Sequence, residues 1–306
     1  MRRLNMLLRL SRTTTGLIAG AAVTLTLAVG CTLEFGGGAS VVPAVEILRA
    51  EGTEEEAAGD ATVEVAGYGN LNGRVVLEGA IPSLPPLVSG SLKDPNVCQV
   101  GVILEKDYRL VVDEASGGVK NVFVYLARKP PGAKSAEAGE DQSMVFDQKN
   151  CVFLPHASVV QTGETVQLVN SDPIAHNVNL KAKSNEPFNS VLKVSDTVGV
   201  PYTYQRSERE PVRIVCDFHS WMLAWQLPLD HPYGAVTNED GSFSIPDLPA
   251  GEHEFQVWHE GRKLLEHTVT IAPDETVEET ISVSAASLAA IPPNPRPRTV
   301  VLSTRP

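Results

Sequence analysis

The sequence predicts an all-β protein, and three observations carry that expectation. Beyond residue 30 no apolar pattern keeps a helical period over a useful length. In its place stand short runs rich in Val, Ile, Phe, Tyr and Leu, at 73–79, 108–112, 119–126, 212–215 and 223–229. Turn signals separate such runs, among them Ser116-Gly117-Gly118, Asp240-Gly241 and Ala250-Gly251. A chain of 306 residues is long enough for two ordinary domains, and 42% apolar residues can fill their cores.

Residues 1–31 differ from the rest. Arg2, Arg3, Arg9 and Arg12 precede the uncharged stretch 17–30, which reads as an export signal and is shorter than a membrane span needs. The segment ends Ala28-Val29-Gly30-Cys31, which resembles a bacterial lipobox and makes Cys31 a candidate for lipidation; ordinary cleavage after a small residue is the alternative. Both readings place the protein outside the cytoplasm, in the periplasm or cell envelope, with membrane contact only through a lipid anchor. Cleavage removes four arginines and no acid, taking the formal charge from −12 to −16. So acidic a chain argues against nucleic acid as a partner. The acidity suits a basic redox partner and also serves solubility.

Residues 32–68, with a GGG run and EGTEEEAAGD, read as a flexible acidic tether. The stretch 69–128 reads as the first part of one β-sandwich and 129–143, containing KPPGAKSAEAG, as a linker. A second domain is expected over 144–230, the remainder of the first sandwich over 231–284, and a disordered tail over 285–306. Cys98 and Cys151 are candidates for a disulfide in an oxidising compartment, or else two buried thiols.

The chemistry concentrates in residues 211–222, PVRIVCDFHSWM. Cys216, His219 and Met222 put a thiolate, an imidazole and a thioether on one short loop between the runs 212–215 and 223–229, so strands hold it at both ends. A soft sulfur donor with neutral nitrogens and a weak thioether suits one copper ion in electron transfer. Zinc would want further His, Cys or carboxylate ligands and would gain little from Met222. The second imidazole is assigned to His176, in a Pro-containing turn upstream. Taken singly, each residue has a plainer reading: a surface His, a core Met, a buried thiol.

The block 144–229, with CVFLPHASVVQTGETVQLVNSDPIAHNVNL followed by PVRIVCDFHSWMLAWQLPL, resembles the cupredoxins, the plastocyanin and amicyanin group of blue copper proteins. The resemblance runs through Phe153 and Pro155, the turn at Gly163, the strand 166–170, His176-Asn177-Val178 and a short amicyanin-like Cys-x2-His-x2-Met loop. It implies a Greek-key β-sandwich and one type 1 copper ion on His176, Cys216, His219 and Met222. It further implies that Asn177 braces the residue after the cysteine, here the acid Asp217, and that the edge of His219 is the electron exit. Trp221 is expected to pack, and His156 is the one extra histidine near the site.

Residues 231–261 resemble the carboxypeptidase regulatory-like, transthyretin-like β-sandwich, through Thr237, Asp240, Gly241, Phe243, Leu248, Pro249 and Gly251. Such modules are usually non-catalytic and some bind carbohydrate. His231, His253, His259 and His267 share no ligand spacing and read as structural. Residues 69–128 would complete this sandwich around the cupredoxin block; alternatively 119–126 opens the cupredoxin sheet. The whole layout is similar to bacterial envelope proteins labelled methylamine-utilisation or plastocyanin-like. The expectation is an exported blue copper protein that passes single electrons to a redox partner and is not an enzyme. A copper store or carrier, or a carbohydrate-binding scaffold with a vestigial loop, are the alternatives. Without a second histidine-rich copper cluster, an oxidase or nitrite reductase is disfavoured.

Overall fold

The computed structural model describes residues 65–88, 92–98, 107–135 and 143–290. The export signal with Cys31, the tether up to residue 64 and the chain from 291 onwards lie outside the described residues. The protein is all-β. In chain order the elements begin with β1 (Tyr68–Glu78), the short helical turn α1 (Pro95–Cys98) and β2 (Phe123–Leu126). Nine strands follow: β3 (Ser143–Lys149), β4 (Val152–Leu154), β5 (Ala157–Gln161), β6 (Thr165–Asn170), β7 (His176–Leu180), β8 (Phe188–Leu192), β9 (Asp196–Thr203), β10 (Val212–Val215) and β11 (Leu223–Leu229). The last elements are β12 (Gly234–Val236), β13 (Ser242–Pro249), β14 (Gly251–His259), β15 (Arg262–Ile271), β16 (Thr276–Ser284) and α2 (Ala285–Ala289).

Two sheets, β4-β3-β6-β9 and β5-β11-β10-β7-β8, are built from residues 143–229. Phe146, Phe153, Val166, Leu168, Val178, Ile214, Met222 and Ala224 fill a shared apolar core with neighbours from both. Alternation explains the partition, because successive side chains of a strand point to opposite faces. Strand β11 departs from that pattern, with all seven residues of LAWQLPL buried. Its second face is covered as well: Leu223, Trp225, Leu227 and Leu229 pack with Phe123, Tyr125 and Trp258 of β2 and β14. Two-sided burial favours an almost wholly apolar strand, and its one polar residue, Gln226, accepts from the buried Tyr204 hydroxyl at 2.9 Å.

The sheets β13-β1-β16 and β12-β2-β14-β15 enclose another core, including Leu71, Val75, Val124, Phe243, Ile245, Phe255, Val257 and Ile281. Strand β1 pairs antiparallel with β13 and parallel with β16, while β2 pairs with β12 and β14. Gly118 and Gly241 sit where two turns cross. A Cβ on Gly118 would come within 1.9 Å of the Asp240 carbonyl, and Gly241 holds φ at 80°, a left-handed conformation that glycine adopts freely.

Two expectations need correction. The run 108–112 contributes only an isolated bridge, Val112 to Val119, rather than a strand, because its first residues, Tyr108 and Arg109, turn aside into polar contacts. The chain also does not become disordered at 285: residues 285–289 form a helical turn, capped by the Ser284 hydroxyl accepting from the Ser287 amide, with Leu288 buried in the core.

Candidate metal centre

Strand register brings the site together. Strand β10 pairs with β11 so that Val215 lies opposite Leu223, and the loop between them closes at once, with the Cys216 amide donating to the Met222 carbonyl and the Met222 amide to that of His219. On its other side β10 pairs antiparallel with β7, Ile214 opposite Leu180 and Val215 opposite Asn179, and just past the strand the Asp217 amide donates to Asn177 Oδ1. His176, at the start of β7, therefore arrives at the same end of the sheet as the loop.

Three donor atoms meet there. The Nδ1 atoms of His176 and His219 are 2.9 Å apart, and Cys216 Sγ lies 3.9 Å from the first and 3.7 Å from the second. A triangle with these sides has a circumscribed circle of radius about 2.1 Å, the length of a bond from a metal to imidazole nitrogen and about 0.2 Å short of one to thiolate sulfur. All three residues are buried, and Met222, fully buried, packs in the same apolar cluster as Cys216.

The outer nitrogens are also engaged. His176 Nε2 is 2.9 Å from Asp172 Oδ2, and His219 Nε2 is 2.9 Å from Asp94 Oδ2. Asp172 is itself held by the amides of Asn150 and Cys151, at 2.7 and 2.8 Å. A carboxylate on the far nitrogen fixes an imidazole's tautomer and raises its basicity, so each ring aims its Nδ1 at the common centre. Burial alone would raise the Asp172 carboxyl, but the hydrogen bonds from His176 and the two amides hold it below its ordinary range.

Burial likewise acts to raise the Cys216 thiol, yet the hydrogen bonds from His176 and His219, with further ones from the backbone of Asn177 and His219, bring it down to about 6. For His176, burial would lower the imidazole, and Asp172 and Cys216 outweigh it and raise it. In the metal-free protein the thiolate ultraviolet absorption of Cys216 is expected to titrate near pH 6 rather than 9. Metal affinity should correspondingly weaken as the pH falls through that value, because protons then compete for the sulfur. A pH titration followed by absorption, with Cys216→Ser as the blank, measures both.

The loop is braced from outside by the asparagines. Asn177 Oδ1 accepts from the Asp217 amide at 2.7 Å, while the side-chain amides of Asn177, Asn179 and Asn189 all donate to Asp217 Oδ2, at 2.8, 2.9 and 3.2 Å. Partial burial would raise Asp217, and these donors lower it instead. Asn177→Ala removes two of these bonds and is expected to cost about 1–3 kcal/mol, read as a lower denaturant midpoint at unchanged m-value.

The remaining candidates fall as follows. Trp221 is buried, donates to the Cys151 carbonyl at 3.0 Å and lies against His219 with ring centroids 5.1 Å apart. His156 is not among the three converging donors, and its Nε2 lies 2.5 Å from Glu260 Oε1. His253 pairs with the Pro249 carbonyl, His259 with those of Asn121 and Arg109, and His267 with Glu279; the His231 ring accepts from the Tyr233 amide. Cys98 and Cys151 are joined in a disulfide, leaving Cys216 as the free thiol of the described residues. The expected open edge on His219 is not found: the residue is 0% exposed, because the turn 92–98 lies over it. Sequence reasoning missed Asp94, Asp172, Asn179 and Asn189. Both aspartates precede a proline, which reads as turn chemistry and conceals the second role.

No family profile matches the chain. No curated protein sequence matches it either. Among solved structures, it is similar to a Cu-containing nitrite reductase (NirK) from Thermus scotoductus SA-01, at 18% identity and a TM-score of 0.26, covering 31% of this chain and 25% of that one. The chain thus spans about a quarter of that enzyme's length. A purple cupredoxin from Nitrosopumilus maritimus is similar at 19% identity and a TM-score of 0.24, covering 29% of this chain and 100% of its own. Amicyanin from Paracoccus versutus follows at 17% identity and a TM-score of 0.26, covering 35% and 97%. No helix of the described residues is long and apolar enough to cross a membrane.

Proposed function

We propose that this chain is an exported protein that holds one type 1 copper ion and carries single electrons in the cell envelope, without catalysis of its own. The convergence of His176 Nδ1, His219 Nδ1 and Cys216 Sγ on a point about 2.1 Å from each supports the reading. Two imidazoles and a thiolate, with the buried thioether of Met222 on the same loop, form the donor set that selects copper. A copper ion bound there would supply a one-electron couple.

The chain's own residues do the rest. Asp172 orients His176, Asp94 orients His219, and the asparagines around Asp217 keep the Cys216 loop from shifting. Burial of all four candidate ligands excludes water, so the donors need not rearrange between two oxidation states. The partner is a redox protein; nucleic acid is not one, and membrane contact would come only through a lipid on Cys31. The β1, β2 and β12–β16 sheets serve as a carboxypeptidase regulatory-like scaffold, with carbohydrate as its candidate ligand.

Titrating the metal-free protein with Cu(II) tests the reading. An intense visible thiolate-to-copper band that saturates at about one equivalent, with a reversible voltammetric wave, is the expected result. A colourless complex would contradict it, and a coloured complex with no reversible wave would favour a copper store.

A further inference from the structure

The turn 92–98 belongs to a part of the chain far from the ligand loop, and it is fastened onto the site in three ways. Cys98 is bonded to Cys151, whose amide donates to Asp172. Lys93 Nζ lies over the Phe218 ring, 5.2 Å from its centroid. Asp94 Oδ2 takes the outer nitrogen of His219 at 2.9 Å. Asp94 holds φ at 51°, a left-handed conformation uncommon outside glycine, and its carbonyl receives the amides of Val97 and Cys98.

We propose that Asp94 is a positioning residue for the copper centre, lowering its reduction potential through His219 and closing that ring's edge to electron exchange. The inference rests on the copper reading above. A carboxylate on Nε2 makes the imidazole a stronger donor, which favours Cu(II) over Cu(I). Asp172 does the same for His176, so both rings carry a carboxylate, but only Asp94 arrives from outside residues 143–229. Its side chain is 41% exposed while His219 is fully buried, so the carboxylate stands between the ring and solvent.

Asn and Gly both tolerate a left-handed φ, so Asp94→Asn and Asp94→Gly remove the charge without straining the turn. In Asp94→Asn the Cu(II) affinity is expected to fall about tenfold while Cu(I) affinity holds, which raises the potential by about 59 mV for a one-electron couple. In Asp94→Gly the self-exchange rate of the copper-loaded protein should also rise, as the His219 edge opens. The metal-free protein supplies an independent readout: a slowly exchanging His219 Nε2 proton, seen by nuclear magnetic resonance, that becomes fast in Asp94→Gly. A blue parent protein whose Asp94 variants keep the Cu(II)/Cu(I) ratio within twofold and the same self-exchange rate would overturn the inference while leaving the copper reading intact. A parent without the visible band would sink the copper reading and this inference with it, and the metal-free proton signal would then report only whether Asp94 holds the ring.

Discussion

Cys216→Ser is expected to abolish the visible band of the copper-loaded protein and to weaken copper binding by orders of magnitude. In the proposed site the sulfur would be the charge-donating ligand, and among the described residues no other free thiol is available to replace it. A serine hydroxyl is a hard, neutral donor whose proton is not lost near pH 7, whereas the Cys216 thiol is already poised near 6. The substitution is nearly isosteric and sits at a buried position bounded by paired strands, so the fold should persist with a small loss of stability. Far-ultraviolet circular dichroism checks the fold, and a competition titration against a chelator of known affinity reads the metal. Retention of the full band in Cys216→Ser would remove the thiolate from the site.

His156→Ala is expected to cost about 3–5 kcal/mol of stability, because it leaves the buried Glu260 carboxylate without its partner. His156 lies just before β5 and Glu260 just after β14, so their 2.5 Å contact ties the 143–229 sheets to the other pair. Both are buried, with side-chain exposures of 9% and 1%. Burial would raise the Glu260 carboxyl, but His156 outweighs it and holds it below its ordinary 4.5. That sign fixes the pH dependence: the pair's contribution is in place above 4.5 and is lost as the pH falls through the lower folded-state value. Urea unfolding of wild type and His156→Ala at neutral and acid pH should therefore converge as the acid limit is approached. A difference independent of pH would instead assign the loss to packing against Tyr108, whose ring centroid is 4.9 Å from that of His156.

Much of this site was legible because its chemistry is local. Cys216, His219 and Met222 lie within seven residues, and the apolar runs either side announce the strands that pin them. His176 is readable only through the order of the whole block, since nothing in SDPIAHN by itself marks a ligand. What stayed hidden depends on contacts between distant parts of the chain. Asp94 reaches His219 across 125 positions, and Glu260 reaches His156 across 104. An Asp before Pro and a Glu before Gly look like ordinary turn residues, and only the tertiary arrangement gives them partners. The same limit applies to the side on which β2 pairs. FVYL is apolar throughout and would suit either body, and the choice is made by pairing with β12 and β14 and by packing on both of its faces. The terminal turn at 285–289 did carry a signal, a serine followed by AASLA, the pattern of a capped run of good helix formers.

The central claim is that two imidazole nitrogens and one thiolate sulfur surround a single copper ion. X-ray absorption at the copper edge of the loaded protein measures that directly. The account predicts two nitrogen scatterers at about 2.0 Å and one short sulfur at about 2.2 Å, with the sulfur lost in Cys216→Ser and one nitrogen lost in His176→Ala. A spectrum fitted by nitrogen and oxygen alone, or one unchanged by His176→Ala, would contradict it.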